Sequence, residues 1–191
     1  MNTRHIITKT AIELFKKEGY DAITIPIICK EAKISRGTFY YHFQSKEEII
    51  YEYIENFLAS VSDIMPELLR LPSAKEQLWR LYRYACEQTI SMGPEVLKAF
   101  YRIDMSSGLK QLSPSSEKKH FYQSKSFKKM VIGLIEKAQA QEEIHTLNSA
   151  EELELAFNTI IIGTGIDWCC KKGKYDEIER LEMLFEIIFH V

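Results

Sequence analysis

The stretch from Ile34 to Glu48 limits the possible folds more than any other part of this chain. Phe39 and Phe43 stand four residues apart, so both rings fall on one face of a helix. The other face carries Arg36, Thr38, Tyr40, Tyr41 and His42. Ser35 is placed to cap this helix, its hydroxyl accepting a backbone N–H of the first turn. A helix of about seven residues is only about 10 Å long and is not stable alone. It must be held by whatever Phe39 and Phe43 pack on. Its free polar face is then well supplied with groups suited to phosphate oxygens and base edges.

The rest of the chain repeats this pattern of apolar stripes and helix start signals. Ile7, Ala11, Leu14 and Phe15 make the stripe of a first helix, about residues 3–18, which Gly19 is placed to stop. Thr24 is placed to cap a second, which tolerates Pro26 in its first turn and turns Ile28 and Ala32 inward. Ser45 and Glu48 form a capping box that opens a longer helix bearing Ile49, Ile50, Tyr53, Ile54, Phe57, Leu58 and Val61. The same signal recurs at Ser73 with Glu76 and at Ser149 with Glu152, and Asp176 with Glu179 is a variant. Leu71-Pro72 and Gly93-Pro94 mark junctions. The spacing predicts helices over 46–69, 74–92, 94–105, 118–141, 150–172 and 176–190, with a Ser/Gly/Pro-rich loop at 106–116. No strand signal competes, so the expected class is all-α with about nine helices.

The stretch from Ile34 to Glu48, extended upstream through Gly19, Tyr20, Asp21, Ala22, Ile23 and Thr24, resembles the DNA-binding signature of the TetR family of transcriptional regulators. The resemblance covers roughly the first fifty residues. It implies a helix-turn-helix domain over 1–46 and a helical effector-binding and dimerisation domain over 47–191. It also implies a homodimer on a double-stranded, palindromic DNA operator, acting as a repressor released by a small, largely hydrophobic effector. Carried over position by position, Arg36 and Thr38 are expected at base edges. Gly37 lets the backbone approach closely, and Tyr40 stands between base and backbone roles. Thr24, Ser35, Tyr41, His42 and Lys46 are expected on phosphates. Lys33 departs from the family pattern, which usually has Gly in the turn. If that position needs a positive φ, Lys costs about 1 kcal/mol there.

Two properties are expected of the remaining chain. The last two helices carry rich apolar faces, Phe157, Ile160, Ile161, Thr164 and Trp168 on one, and Leu181, Leu184, Phe185, Ile188 and Phe189 on the other. By the resemblance, these pair with their copies across a two-fold axis in a four-helix bundle. The middle helices mix large apolar groups with a few polar ones, as ligand pockets do. Trp79, Tyr82, Arg83, Cys86, Phe100, Tyr101, Asp104, Met105, Phe121, Tyr122, Phe127, Met130 and Phe157 are the candidate lining. Aromatic and methionine stripes at helical spacing also serve as plain core.

Composition narrows the remaining classes. The net charge of −2 hides a mild asymmetry, with 8 Lys/Arg against 6 Asp/Glu in residues 1–48, too small to mark a nucleic-acid binder by charge alone. Cys29, Cys86, Cys169 and Cys170 lack metal-ligand spacing and read as reduced core or interface thiols, so neither metal nor cofactor is expected. The N-terminus has no apolar leader, and the apolar run 155–170 falls short of the ~20 residues that span a bilayer. A cytoplasmic protein is expected, with no membrane partner. There is no nucleophile elbow, phosphate loop or His-Glu-x-x-His, and Gly163-Thr-Gly165 lacks a third glycine, so no enzyme is expected. The rival to a DNA-binding regulator is a helical protein-interaction module without DNA contact. Retention of the Arg36–His42 face argues against it.

Overall fold

The computed structural model describes residues 2–108 and 125–189, with side chains described except at 55–60, 62, 104–108 and 125. The described residues form ten α-helices and no strand, the all-α class that the patterning predicts with one helix more than the nine expected. They are α1 (Thr3–Glu18), α2 (Ile25–Glu31), α3 (Arg36–His42), α4 (Lys46–Ser60), α5 (Met65–Leu68), α6 (Ala74–Ser91), α7 (Pro94–Gly108), α8 (Lys125–Ala140), α9 (Ala150–Cys170) and α10 (Glu177–Phe189). The expected helices at 46–69 and 118–141 differ from these. The first breaks into α4, a 3-10 turn (Val61–Ile64) and α5, with Pro66 in the first turn of α5. Proline lacks the N–H that a continuous helix would have needed there. The start expected near 118 and the 106–116 loop reach outside the described residues.

Start signals behave largely as read. Ser149 and Glu152 make a reciprocal capping box. Ser45 accepts from the Glu48 N–H at 3.4 Å, but the Glu48 carboxylate reaches back to the Gln44 N–H at 2.6 Å rather than to Ser45. At α6 the return bond comes from far along the chain. Glu143 accepts from the Ser73 hydroxyl at 3.0 Å and the Lys75 N–H at 2.8 Å, tying the α8–α9 connection to the start of α6. Asp176 caps α10 through the N–H groups of Ile178 and Glu179.

Two groups of helices result. In the head, α1 packs on α2 and α4 over a core that includes the fully buried Ile7, Ala11, Phe15, Ile23, Ile28, Phe39, Phe43, Ile49 and Ile50. In the body, α6, α8, α9 and α10 enclose an aromatic cluster. Tyr82 meets Phe157 edge-on at 4.7 Å, Phe157 meets Phe185 at 5.5 Å, and Phe185 lies 4.6 Å from Phe189. Burial of this kind is worth about 1.5–3 kcal/mol per large side chain, which explains how the body holds together.

α9 is 21 residues long, more than the apolar run suggests, and by length and composition alone could cross a bilayer. Its inward face carries Leu153, Phe157, Ile161 and Trp168 in the core, as in an interior helix of a globular bundle. α7 joins the two groups, packing on α9 on one side and on α1 and α4 on the other.

Candidate nucleic-acid interface

The short helix α3 is held as its sequence requires. Ser35 caps it, accepting from the Thr38 N–H at 3.0 Å. Phe39 and Phe43 are both fully buried. The helix C-terminus is tied down by Arg4 of α1, which donates to the His42 carbonyl at 2.6 Å, pairs with Glu52 of α4 and lies over the Phe43 ring at 4.4 Å. Thr8 adds a bond to the other Glu52 oxygen at 3.0 Å. One guanidinium thus fixes α1, α3 and α4 together. Nothing in the sequence signalled Arg4 or Glu52.

The turn before α3 depends on a left-handed residue. Lys33 has φ 55°, and the following N–H of Ile34 reaches back to the Cys29 carbonyl at 3.0 Å. This is the positive-φ conformation for which glycine is preferred. It redirects the chain so that α3 lies across α2 with its polar face outward.

That face is exposed. Tyr41 is 83% exposed and Tyr40 50% exposed, and Arg36 and Gly37 are also on the surface. His42 is half-buried, its ring edge-on to Tyr41 at 5.0 Å. Thr24 is exposed and makes no capping bond despite standing at the N-cap of α2, so its hydroxyl is not used up there. The Ser35 hydroxyl faces its own helix, bonded to Thr38 Oγ1 at 2.8 Å as well as to the Thr38 N–H.

Lys46 departs from the sequence reading. Its ammonium donates to the carbonyls of Tyr20 at 2.9 Å and Ile23 at 3.0 Å and lies 4.0 Å from the centre of the Tyr20 ring. Two of its three donors close the α1–α2 connection, leaving one for a phosphate. Beside it, Tyr20 donates to Glu47 at 2.9 Å, and burial is the main cause of a phenol pKa raised far above the ordinary range.

The expected pocket residues are divided. Tyr82, Phe127 and Phe157 are buried in the closed aromatic cluster, with Trp79 packed on Phe185 at 5.1 Å. Phe100 is buried beside Tyr101, and Met130 is half-buried. Arg83 is a correction: it lies on the surface, paired with Glu87 at 2.9 Å, because the rotation of about 100° per residue turns it away from the face that buries its neighbour Tyr82. The side chains of Asp104 and Met105, and residues Phe121 and Tyr122, lie outside the described residues. Cys86 and Tyr101 line a small cavity among α6, α7, α9 and α10, together with Glu177, which the sequence reading missed.

The expected dimer face is divided as well. Phe157, Ile161, Trp168, Leu181 and Phe185 are all buried within the single chain. Ile160, Thr164, Leu184 and Ile188 are half-buried. The apolar groups left exposed lie on the other side of the same helices, Leu155 (60%) and Ile166 on α9 with Met183 (56%) and Ile187 (66%) on α10.

Head and body meet at α7. Arg102 donates to both Asp21 oxygens at 2.7 Å, with its guanidinium 5.5 Å from the Tyr20 ring centre. Lys16 of α1 reaches the Ser91 carbonyl at 2.6 Å.

Residues 7–53 match the family model described as bacterial regulatory proteins, tetR family. Over 117 residues the chain is 31% identical to the biofilm operon icaADBC negative transcriptional regulator IcaR of Staphylococcus epidermidis, covering 61% of this chain and 60% of that one. Over 52 residues it is 46% identical to the uncharacterised helix-turn-helix regulator YerO of Bacillus subtilis, covering 27% of this chain and 18% of that one. The matched stretches therefore span less than two thirds of these relatives. In fold, the chain is similar to Thermus thermophilus FadR, a TetR-family repressor solved in complex with lauroyl-CoA. The TM-score is 0.62 at 21% identity, over 97% of this chain and 92% of that one.

Proposed function

We propose, for a chain that belongs to the TetR family of bacterial regulatory proteins, the function of a ligand-responsive DNA-binding transcriptional repressor. The observation that carries this reading is α3. Its buried face is fixed by Phe39, Phe43 and the Arg4 clamp, while Arg36, Gly37, Tyr40 and Tyr41 face solvent. A helix so presented enters a major groove, with its N-terminal residues towards base edges and its flanks towards phosphates. Residues 1–46 are the DNA-reading unit in this proposal, and 47–191 the effector-binding and dimerisation unit. Arg36 and Thr38 read bases, while Thr24, Tyr41, His42 and the remaining donor of Lys46 hold phosphates. Ser35 contributes through its backbone N–H. Such work on DNA places the protein in the cytoplasm.

A homodimer is part of the proposal, because two copies of α3 about one DNA turn apart read a near-palindrome. Leu155, Ile166, Met183 and Ile187 supply the outward apolar surface for it, flanked at helical spacing by Ile160, Thr164, Leu184 and Ile188. The effector proposed is small and largely hydrophobic; lauroyl-CoA on the similarly folded FadR supports that class. An effector releases DNA only through unequal affinity for two states of the protein. α7, which touches both the body core and Asp21, is the element that carries the difference to the head.

A mobility-shift titration on DNA flanking the protein's own gene tests this. The wild type is expected to retard one such fragment, and Arg36→Ala to weaken it by about 1–3 kcal/mol. Equal retardation by both proteins, or none by either, would overturn the assignment of this face.

A further inference from the structure

Glu177 stands in the first turn of α10 and is 5% exposed. Neither of its carboxylate oxygens touches solvent, and neither accepts a hydrogen bond from any described residue. The other buried glutamate of the body, Glu154, has Lys128 Nζ at 2.8 Å. Burial raises the Glu177 carboxyl pKa, and the nearby Thr164 and Tyr175 hydroxyls and Arg180 offset that only in part, none of them at good hydrogen-bond geometry and the last two bonded to Asp167. Arg180 donates to Asp167 at 2.6 Å and to the Tyr175 hydroxyl at 2.9 Å, and that hydroxyl reaches Asp167 and the Thr164 carbonyl. A buried carboxylate so weakly compensated is costly and gains from any cation that reaches it.

The cavity beside Glu177 supplies the rest of a cation seat. Tyr101 and Trp168 line it, offering aromatic rings of the kind that attract an ammonium group. The Thr89 hydroxyl donates to the Ala85 carbonyl of its own helix at 2.8 Å. The Trp168 indole is held by its bond to the Tyr175 carbonyl at 3.2 Å. Tyr101 lies against Gly165, where a Cβ would collide with the phenol oxygen and stand 3.3 Å from Cζ. The volume is about 10 Å³, near the room that one water needs. A primary ammonium head matches that size. The remaining lining includes Leu97, Ile161 and Leu181, which suits an alkyl tail.

We propose that Glu177 is the counter-charge for the primary ammonium head of an amphiphilic amine, which binds among α6, α7, α9 and α10. This rests on the reading of the body as an effector domain and names the chemistry of the effector. The tail does not fit while the helices are as close as they are here, so the amine binds a state in which α7 has shifted. Unequal affinity of this kind is what moves a two-state protein. Tyr101 is the neighbour of Arg102, so a shift felt at the cavity acts directly on the grip on Asp21.

Isothermal titration of the full chain with octylammonium, octanol and octanoate tests the proposal. The wild type is expected to bind octylammonium at least tenfold more tightly than octanol, and octanoate more weakly than either. Glu177→Gln is expected to lose that preference, and Glu179→Gln, on the exposed side of the same helix, to keep it. Equal affinity for the three probes, no binding of octylammonium, or a preference that survives in Glu177→Gln overturns it. The wild-type selectivity stands as a test even if Glu177→Gln fails to fold. An operator mobility shift with octylammonium separates the two readings. Glu177-dependent binding without release of DNA keeps the cation seat and removes the effector role. Equal release by octanol and octanoate keeps the effector role and removes the cation seat.

Discussion

Arg102 on α7 and Asp21 in the α1–α2 connection are joined by two hydrogen bonds of 2.7 Å across 81 positions of sequence. The pair is exposed on both sides, 52% at Arg102 and 75% at Asp21, so its worth to stability is small, about 0–1 kcal/mol. Its importance is positional, since it couples the helix that lines the body cavity to the head. Arg102→Ala is expected to leave the urea midpoint nearly unchanged while reducing the factor by which an effector weakens operator binding. Operator titrations with and without effector measure that factor, and an unchanged factor would remove Arg102 from the coupling path.

Substitutions on the head should separate base reading from phosphate binding. Arg36→Ala is expected to relax the preference at one operator position, whereas Tyr41→Phe should weaken all DNA sequences alike. Lys46→Ala is expected to do more than remove a charge, because the Lys46 ammonium closes on the Tyr20 and Ile23 carbonyls. Its loss should lower the melting temperature as well as the slope of affinity against salt. A Lys46→Ala protein with unchanged thermal stability would show those two bonds to be dispensable.

Lys33 occupies a φ of 55°, where a side chain is strained. Lys33→Gly is expected to stabilise the head by about 1 kcal/mol, less the entropy that glycine adds to the unfolded chain. Denaturant titration followed by circular dichroism reads the difference. A destabilised variant would mean that the lysine side chain contributes a contact outweighing the strain.

Asp167 pairs with Lys171 at the end of its own helix α9 and with Arg180 across on α10, and those bonds pull its carboxyl pKa down to about 2. A carboxylate with a depressed folded-state pKa stabilises the protein above its ordinary value near 3.8 and loses that contribution as pH falls towards 2. Asp167→Asn is therefore expected to be less stable than wild type at pH 6, with the gap closing below pH 3. A gap independent of pH would assign the effect to packing.

The outward apolar surface of α9 and α10 gives a fifth test. Ile187→Glu is expected to convert a dimer to monomers in sedimentation, since Ile187 is 66% exposed in the single chain and its removal disturbs no core. Phe185→Glu, at a residue 1% exposed, should unfold the body instead. Unaltered association in Ile187→Glu would place the dimer contact elsewhere.

The legibility of these features follows from how many constraints acted on each residue. α3 was readable because Phe39 and Phe43 had to share a face, and capping at Ser35 and Ser149 was readable because it is local chemistry. The break at Val61–Ile64 was not, since the apolar spacing runs through it and only Pro66 hints at a stop. On α9 both sides are apolar, so periodicity could not say which side the chain keeps for itself: Phe157, expected at a dimer face, is buried, while Leu155 is left exposed. Glu177 was hidden for a different reason. In sequence it looks like one more acid in a capped first turn, and only the packing of α6 and α7 over it takes it out of water.

At Gly165 the gap between α7 and α9 is set by a carbon atom that is not there. Any larger residue would overlap the Tyr101 phenol oxygen and force that ring, or the helix α7 that carries it, to give way whether or not a small molecule had arrived. On the proposed reading, a single methyl group at this point would leave the protein deaf to its effector, already held in the posture that the effector selects.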